Sequence, residues 1–531
     1  MDRYWEYDAA EGVFGPSGEC LARAAGLKVA VVGGGLGGLM AARTLARWGV
    51  KVTVYEARAQ VGGRVLSDST FAKGRITEAG AELVGSIHTR WCALAKEYGL
   101  SLISRMDGDL YHGQQLAQRL VLDKALTRKE IVELEKAKRR DVLEPMARLA
   151  RDKIQDASKP WIQPDPHKLQ DLHDFDKMTV GEALTKLFGV AKDSRLWKSM
   201  DFQLANDNAA RLGQMNFLSM LCLVRGGQAG TIAEDPLMGY WDELEIYRCG
   251  DGCQRLALTI AADVHARKGC RVIRSMGLRR IDLRPKTGGV LVTARSTKNS
   301  TFDQWLREKI PANPLMDTQR YDCVIFAAPP SVWHAVEIVP HHPKDVIGML
   351  GMGPAVKFFS KVKERFWISD GFAPHGGSLD LGQVWEGTDN QTRVKGQDIV
   401  LSVFAGARTP PEADFKRGLT DLYKEKYKEN LRKTMLVDWT RQPFIGTGYA
   451  SPRIGQVLTI GKELNEPFLG RLFFAGEHTQ MDHFGYMEGA IRSGERAAGV
   501  LLDQVCKPLQ KRPEQVLVAA TGGTGSTARA S

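Results

Sequence analysis

The sequence predicts an α/β fold, organised as two domains or as one interleaved pair. Residues 29–42 run from an apolar strand pattern through a glycine-rich turn into a helix pattern of small residues. Residues 51–56 form a second strand pattern that ends in an acid. The chain has 531 residues, 43% hydrophobic and 25% charged, which is ordinary for a globular protein and too long for one simple core.

The glycine-rich turn has the spacing G-x-G-x-x-G in Gly33, Gly35 and Gly38. Gly33 permits the tight turn, Gly35 lets a pyrophosphate approach the backbone, and Gly38 lets helix and strand pack closely. The phosphates would lie at the helix N-terminus, whose N–H groups favour negative charge. Glu56 lies where a carboxylate accepts hydrogen bonds from ribose hydroxyls and would repel a 2′-phosphate. The pattern predicts a Rossmann-type dinucleotide site; the alternative for Glu56 is a solvated strand end.

The net charge of +11 permits attraction to acidic partners but does not demonstrate it. Much of the basic charge lies in residues 124–140, where Glu130, Glu133 and Glu135 are interleaved with Lys and Arg. Mixed signs at helical spacing are typical of a solvated helix face, so no nucleic-acid partner is predicted.

Eight cysteines are scattered without a C-x-x-C pair, which predicts free thiols in a reducing compartment rather than disulfides or a zinc site. His478 and His483 have no third ligand at a suitable spacing, so no metal is predicted. The acidic N-terminus lacks the features of a secretory signal, and no apolar run reaches the roughly 18 residues of a spanning helix. A soluble cytoplasmic protein with no membrane partner is therefore expected.

A second glycine turn at residues 61–65 places Arg64 to reach a phosphate or a flavin edge, and residues 76–85 are small enough for a backbone to pass close to a ring. The order of G-x-G-x-x-G, acid, Gly-Gly-Arg and Glu-Ala-Gly-Ala resembles the flavin-dependent amine oxidase family, over about residues 28–503. This family includes monoamine, polyamine and L-amino acid oxidases. The resemblance implies FAD, held by Gly33, Gly35, Leu36, Gly37, Gly38, Glu56, Ala57, Arg58, Gly63, Arg64, Gly80, Ala81, Glu82, Leu83, Leu278, Trp439, Gly476, Glu477, Tyr486 and Met487.

The same resemblance implies an interleaved architecture in which the Rossmann-type FAD-binding domain is interrupted by a substrate domain of mixed sheet and helical insert. The FAD-binding domain would comprise residues 28–105, 243–335 and 440–505, and the substrate domain residues 106–242 and 336–439. Outside these lie a surface arm at 1–27, an insertion loop at 295–320 and a disordered tail at 506–531, which is rich in Gly, Thr and Ser. The backbone near Leu278 would meet the adenine.

Lys357 lies within an apolar strand pattern, where an ammonium must find a partner or lose its charge. The resemblance places it near flavin N5, usually holding a water; the alternative is a lysine that snorkels from a strand edge. It also implies that Trp439 packs beside the flavin and that Tyr449 faces the substrate. Some family members attach FAD through a cysteine just before this aromatic residue. That position is Gly448, which predicts non-covalent FAD.

The last motifs are residues 471–479 and the helix pattern from 485 to 498. The resemblance implies that Gly476 and Glu477 reach the ribityl-phosphate region and that the helix beginning at Met487 directs its N-terminus at the flavin carbonyl. Gly-Tyr-Met-Glu-Gly-Ala resembles the monoamine oxidase branch, so Tyr486 and Tyr449 would form an aromatic cage that attracts and orients the amine. The alternative is two core aromatic residues with satisfied hydroxyls.

The implied reaction oxidises a C–N bond. A hydride passes from the carbon bearing a neutral amine to flavin N5, the imine hydrolyses to an aldehyde or keto acid, and dioxygen gives hydrogen peroxide. The implied partners are thus a small-molecule amine or amino acid and dioxygen, and a homodimer is left open. A flavin desaturase or isomerase and a non-enzymatic scaffold are the alternatives of a different class.

Two substrate classes compete. L-Amino acid oxidases of this family commonly place an arginine after the Gly-Ala pair to hold the carboxylate, whereas Glu82 and Leu83 follow here. This departure and the cage tyrosines favour a primary amine or polyamine. An amino acid would need an arginine from the helical insert, such as Arg211 or Arg225. A distal ammonium could instead meet a carboxylate, for which the candidates are Glu82, Glu243 and Glu245.

Overall fold

The computed structural model describes residues 5–8, 13–16, 18–104, 117–229, 235–284, 288–307, 317–341, 349–389, 391 and 398–506. Its α-helices span Gly18–Ala25, Leu36–Arg47, Thr89–Tyr98, Arg128–Lys138, Glu144–Lys153, Pro166–Asp176, Val180–Lys186, Arg195–Asn208, Phe217–Gly227, Gly239–Glu243, Gln254–Ala266, Phe302–Arg307, Glu412–Tyr423, Glu425–Asn430, Ile460–Asn465 and Met487–Cys506. Short 3-10 turns span Pro236–Met238, Pro330–Ala335, Ile368–Asp370, Trp439–Arg441 and Glu477–Thr479, and a π-helical turn spans Arg139–Leu143.

A five-stranded parallel sheet, the nucleotide sheet, forms the first layer. Its strands lie in the order Arg271–Arg274, Lys51–Glu56, Lys28–Val32, Cys323–Phe326 and Leu472–Phe474. Alternate side chains of the central strand enter different cores: Val29 and Val31 pack with the helices, and Ala30 and Val32 pack on the other face. Both faces are thus covered, which explains the continuous apolar runs in the sequence.

Different elements pack on the two faces of the nucleotide sheet. Helix Leu36–Arg47 packs closely along helix Met487–Cys506, and both contribute to the core on one face. On the other face lies a four-stranded sheet in the order Asp317–Tyr321, Val290–Ser296, Met276–Asp282 and Glu337–Val339. The glycine turn of the first β-α-β unit therefore opens at the carboxyl edge of the nucleotide sheet, where ligands bind in such folds.

A second sheet, the substrate sheet, has six strands in the order Leu431–Asp438, Ala355–Val362, Ile399–Gly406, Gly382–Glu386, Phe372–Ser378 and Ala117–Val121. All pairs are antiparallel except the last. Lys357 is paired on both sides, with Phe404 and Val437. Val356 and Phe358 pack with the helix Glu412–Tyr423, so the alternation turns Lys357 to the opposite face of the sheet.

Smaller strand groups and a helical region complete the fold. One three-stranded sheet has the order Leu83–Val84, Tyr247–Cys249 and Leu102–Ser104. Two-stranded pairs join Trp5–Asp8 to Val13–Pro16, Ser67–Asp68 to Thr77–Glu78, and Met352–Gly353 to Tyr449–Ala450. The helices between residues 144 and 243 share one apolar core, while helix Arg128–Lys138 packs in a separate small cluster. Among the described residues, no helix combines the length and apolar character needed to cross a bilayer.

The prediction of an insertion loop at 295–320 was wrong for the described residues of that range. Strand Val290–Ser296 extends into it, helix Phe302–Arg307 follows, and strand Asp317–Tyr321 ends it. The helix forms because its Trp305 is buried, with 2% of its surface exposed, although the surrounding sequence is polar. Residues 308–316 lie outside the described residues.

The ends of the chain also differ from expectation. In the predicted surface arm, helix Gly18–Ala25 buries Cys20 and Ala24 against helix Met487–Cys506. The expectation that all eight cysteines are free thiols was wrong, because the structure joins Cys20 to Cys506, with 5.0 Å between their Cα atoms. The partners are 486 residues apart, so spacing in the sequence could not reveal them. The other six cysteines form no disulfide bond in the described part of the chain. The predicted disordered tail lies outside the described residues from 507 onward.

Candidate active site

One continuous cavity runs from the carboxyl edge of the nucleotide sheet to the substrate sheet. All the predicted cofactor-binding and catalytic residues line it except Gly38. A Cβ at Gly38 would overlap the carbonyl oxygen of Gly33, so this glycine permits the contact between helix and turn. The structure therefore brings together residues that are spread over more than 400 positions of the sequence.

The glycine turn forms a backbone cradle at one end of the cavity. Gly33 has a φ of +102°, a conformation that favours glycine, and its N–H donates to Tyr55 O at 2.8 Å. A Cβ at Gly37 would lie 3.0 Å from Gly476 N, so the two glycine turns approach each other closely. Helix Leu36–Arg47 begins after Gly35 without a side-chain cap, which leaves its first N–H groups for a ligand. This donor set fits the pyrophosphate of a dinucleotide.

Glu56 is buried at the end of its strand and lines the cavity. Its carboxylate accepts hydrogen bonds from the N–H groups of Gly34 at 2.6 Å and Arg58 at 2.7 Å. Burial raises the pKa of Glu56, while these two bonds oppose the rise. The alternative of a solvated strand end was wrong, and the fixed carboxyl fits a hydroxyl-bearing ribose.

Arg64 joins three parts of the cavity wall. Its Nη1 donates to Gly448 O at 2.9 Å and to Glu477 Oε1 at 2.6 Å. Glu477 also accepts from the N–H of Gly485 at 2.6 Å. The arginine therefore fixes the two turns that precede Tyr449 and Tyr486, and a contact between it and a phosphate stays a prediction.

Lys357 lies in the middle of the cavity wall with 5% of its surface exposed. Its Nζ donates to Glu82 Oε2 at 2.7 Å, to Glu78 O at 2.9 Å and to Gly80 O at 3.0 Å. These three acceptors match the three N–H donors of an ammonium. The alternative of a lysine that snorkels from a strand edge was therefore wrong.

Glu82 is the centre of a buried network that the sequence analysis missed. Besides Lys357, its carboxylate accepts from Arg248 Nε at 2.8 Å and from Trp385 Nε1 at 2.9 Å. Arg248 in turn pairs with Asp389. Burial alone would raise the pKa of Glu82, but the adjacent Lys357 and Arg248 lower it to about 2. Glu82 is thus committed to two cations and is a poor partner for a distal ammonium.

The pKa of Glu78 is raised, whereas that of Glu82 is lowered. The side chain of Glu78 accepts from Cys253 N and from Ser67 Oγ, both at 2.7 Å. Burial raises the pKa of Glu78 to about 7, although the hydrogen bonds from Cys253 and Ser67 oppose the rise; the neighbouring Glu82 adds a smaller upward shift. Two carboxyl groups four residues apart thus have pKa values shifted in opposite directions.

Tyr449 and Tyr486 line the other end of the cavity. Tyr449 donates its hydroxyl to Asn206 O at 2.5 Å, and its ring stacks on Phe404 with 6.5 Å between centroids. The hydroxyl of Tyr486 lies 3.4 Å from that of Tyr240, a contact that sequence reasoning missed. A Cβ at Gly485 would lie 3.2 Å from the Tyr449 ring, so this glycine lets the ring rest on the turn before Tyr486. Burial raises the pKa of both tyrosines well above the ordinary value.

Trp439 and Gly448 complete the wall between the two ends. The indole of Trp439 donates to Ala79 O at 3.0 Å, and Trp439 lines the cavity. At Gly448 a Cβ would lie 2.7 Å from both Gly353 O and the Ala355 Cβ. The site therefore has no space for a side chain at position 448.

The tyrosine-lined end holds two carboxylates, of which the sequence analysis named Glu245 but not Asp207. Asp207 and Glu245 line the cavity, and Asp207 accepts from Gln383 Nε2 at 3.2 Å. Arg211 pairs with Asp201 and Arg225 donates to Ile154 O, and neither lines the cavity. Glu243, which accepts from Ser86 Oγ at 2.6 Å, lies outside it too.

The buried histidines give no support for a metal. Within the described part of the chain, no group of three or more His, Cys, Asp or Glu side chains could hold a metal ion.

Known proteins resemble this chain over most of its length. Residues 36–502 match the family model described as flavin containing amine oxidoreductase. The chain is 26% identical to bovine amine oxidase [flavin-containing] A over 517 residues, covering 90% of this chain and 85% of the relative. It is also 26% identical to human amine oxidase [flavin-containing] B over 521 residues, covering 93% and 90%.

The fold is shared with solved structures. Putrescine oxidase bound to putrescine superposes with a TM-score of 0.68 at 18% identity, over 90% of this chain and 99% of that one. This likeness confirms the predicted α/β fold of interleaved sheets.

Proposed function

Because the chain belongs to the flavin-containing amine oxidoreductase family, we propose that it oxidises a primary amine or polyamine, using FAD and dioxygen. The observation that carries this proposal is the single cavity that joins a dinucleotide cradle, the buried Lys357 and a tyrosine-lined end. A bound flavin would supply the two-electron oxidation of the amine carbon and the return of both electrons to dioxygen. The overall products are an aldehyde or ketone, ammonia or a shorter amine, and hydrogen peroxide.

The protein's own contribution is to bind, orient and exclude water. Tyr449 and Tyr486 would face the amine with neutral rings, whose electron-rich faces attract it and restrict its orientation. Lys357, fixed by Glu82 and two carbonyl oxygens, would present a positive charge beside the ring system. Glu56 would bind the ribose, and the glycine cradle would bind the pyrophosphate.

A primary amine or polyamine is favoured over an amino acid by the charges of the lining. Recognition of a carboxylate would call for an arginine with a free fork at the substrate end. The lining arginines are Arg58 and Arg64, whose guanidinium groups donate to Gly63 O and to Glu477. The tyrosine-lined end holds the carboxylates of Asp207 and Glu245 instead, which suit a cationic group on the substrate.

Non-covalent attachment of the flavin is supported at position 448. A cysteine there would have to place its Cβ 2.7 Å from Gly353 O. We therefore expect the flavin to be released into the supernatant when the protein is precipitated with acid. A yellow precipitate would contradict non-covalent binding.

We also propose that the nucleotide sheet and the substrate sheet mark the two domains whose boundaries the sequence predicts. The cytoplasmic location and the homodimer stay predictions.

The test is consumption of oxygen by the FAD-saturated protein, with peroxide measured in parallel. The matched pairs are cadaverine against L-lysine and phenethylamine against L-phenylalanine. We expect turnover with one or both amines and none with the amino acids. Turnover of the amino acids alone would move the assignment to L-amino acid oxidase. Bound FAD without oxygen consumption for any of the four would favour a desaturase or isomerase.

A further inference from the structure

An aromatic cluster closes one end of the cavity, beyond Glu56. Phe302 lies 5.1 Å from Phe444 and 6.3 Å from Trp305, measured between ring centroids, and Trp305 lies 5.3 Å from Phe444. All three residues line the cavity. We call these three side chains the aromatic cap.

The cap is fixed to the strands that end beside Glu56. Arg279 lies over the Trp305 ring at 4.6 Å, and its Nη1 donates to Trp305 O at 3.1 Å. A Cβ at Gly277 would lie 2.6 Å from the Trp305 ring, so only glycine there lets the indole approach the strand. Just before the cap helix, Thr297 donates its hydroxyl to Ala57 O at 2.6 Å.

The position of the cap identifies the part of a ligand that it would meet. In a dinucleotide site the acid at the end of the second strand binds the ribose, and the base lies beyond it. Ala57 and Arg58 directly follow that acid, and they line the cavity together with Leu278 and the cap. The cap therefore lies where an adenine would be.

The chemistry of the cap suits a purine. Aromatic rings stack on the faces of a base, and this contact contributes measurable affinity. Trp305 is 2% exposed and packs on Gly277, whereas Phe302 and Phe444 are half-buried. A base would therefore stack on the two phenylalanine rings, with Trp305 holding them in place.

We propose that the aromatic cap binds the adenine of the flavin dinucleotide and thereby retains the cofactor without a covalent bond. Helix Phe302–Arg307 is then a cofactor-binding element inside a segment whose composition suggests a plain loop. The inference rests on the dinucleotide of the proposed function and not on its amine substrate.

The experiment compares the wild type with Phe302→Ala and Trp305→Phe. The dissociation constant of FAD is measured by dilution of the holoenzyme, from the rise in flavin fluorescence, and ADP is titrated as a competitor. Phe302→Ala removes a stacking ring and should weaken FAD and ADP by about tenfold. Trp305→Phe keeps a ring but removes the part of the indole that packs on Gly277, so the cap is held less firmly and both affinities should weaken by about fivefold.

The matched control is Phe188→Ala, which removes a half-buried aromatic ring that contacts Phe217 far from the cavity. It should leave both affinities unchanged. Affinities within twofold of wild type in both cap variants, or an equal loss in Phe188→Ala, would overturn the proposal. The measured FAD affinities do not depend on amine turnover, because retention of FAD is measured without substrate. If no amine reduces the wild-type flavin, the proposed function fails while this test still decides the role of the cap.

Discussion

At the scale of single residues, the contact between Lys357 and Glu82 determines what each side chain can do. The sequence singled out Lys357 because an ammonium in an apolar strand needs a partner. It did not identify the partner, because Glu82 is 275 positions away in the chain. The same carboxylate had been a candidate for a distal ammonium, and its bonds to Lys357 and Arg248 exclude that role in this structure.

Replacing Lys357 with Met should affect both stability and flavin reduction. Removing one partner of a buried ion pair leaves the other charge poorly compensated, so we expect a loss of about 3 kcal/mol in the free energy of unfolding. The rate of flavin reduction by substrate should fall roughly 100-fold, because a fixed charge beside the ring system is removed. Chemical denaturation and stopped-flow absorbance measure the two effects.

Two further variants separate these effects. Lys357→Met combined with Glu82→Gln should recover part of the stability but none of the rate. Lys361→Met, in the same strand, breaks a pair with Asp398 away from the cavity and should cost less than about 1 kcal/mol. Full activity in Lys357→Met would exclude a functional role for the lysine.

Glu78 should make stability depend on pH in the neutral range. Its folded pKa of about 7 lies above the ordinary 4.5, so the folded protein binds this proton more tightly than the unfolded chain. Its contribution is therefore fully present below pH 4.5 and is lost as the pH rises through 7, by up to about 3 kcal/mol. Urea unfolding of wild type and Glu78→Gln between pH 5 and 8 measures this. The free energy of unfolding of the variant should depend less on pH than that of the wild type. Equal slopes of this free energy against pH in the two proteins would contradict the raised pKa.

Asp207 and Glu245 should govern selectivity for a second positive charge. Asp207→Asn and Glu245→Gln remove one carboxylate each from the tyrosine-lined end. Each should raise KM for cadaverine by about tenfold, equivalent to about 1.4 kcal/mol, and leave KM for phenethylamine unchanged. Glu243→Gln is the control, since Glu243 lies close in sequence but outside the cavity. Equal changes for both amines would show that the carboxylates do not recognise the distal charge.

At the scale of elements, local patterns were predicted well and tertiary partners were not. The strand pattern at 51–56 corresponds to strand Lys51–Glu56, and the helix pattern from 485 to 498 corresponds to helix Met487–Cys506. The mixed-charge segment at 124–140 contains helix Arg128–Lys138, which a π-helical turn joins to helix Glu144–Lys153. Helix Phe302–Arg307 was missed because its stabilisation comes from burial of Trp305 against distant strands rather than from its own polar sequence.

The short strand pair beside Gly448 positions Tyr449 in the cavity wall. Gly448→Ala should lower the free energy of unfolding by about 1–3 kcal/mol, because the added Cβ overlaps Gly353 O and must displace the strand. The shift should also lower kcat/KM for the amine. Gly213→Ala is the control, since a Cβ there meets nothing within 4 Å. Thermal unfolding of both variants decides this, and equal Tm values would contradict the close packing.

At the scale of the whole molecule, the cavity exists only because distant segments converge. The bond from Arg64 to Glu477 spans 413 positions, and no periodicity or spacing in the sequence encodes it. The glycine motif and the strand-terminal acid were predictable because they act within one β-α-β unit. The Glu82 network, the contact of Tyr240 with Tyr486 and the aromatic cap join segments that are distant in the chain, so they became visible only in the structure.

We propose above all that this cavity oxidises an amine rather than an amino acid. The most direct test is anaerobic mixing of the FAD-bound protein with cadaverine or with L-lysine, which differ by one carboxylate. We predict that cadaverine bleaches the flavin absorbance and that L-lysine at the same concentration does not. Bleaching by L-lysine alone would contradict the account, because the cavity would then have to bind a carboxylate where the structure has Asp207 and Glu245.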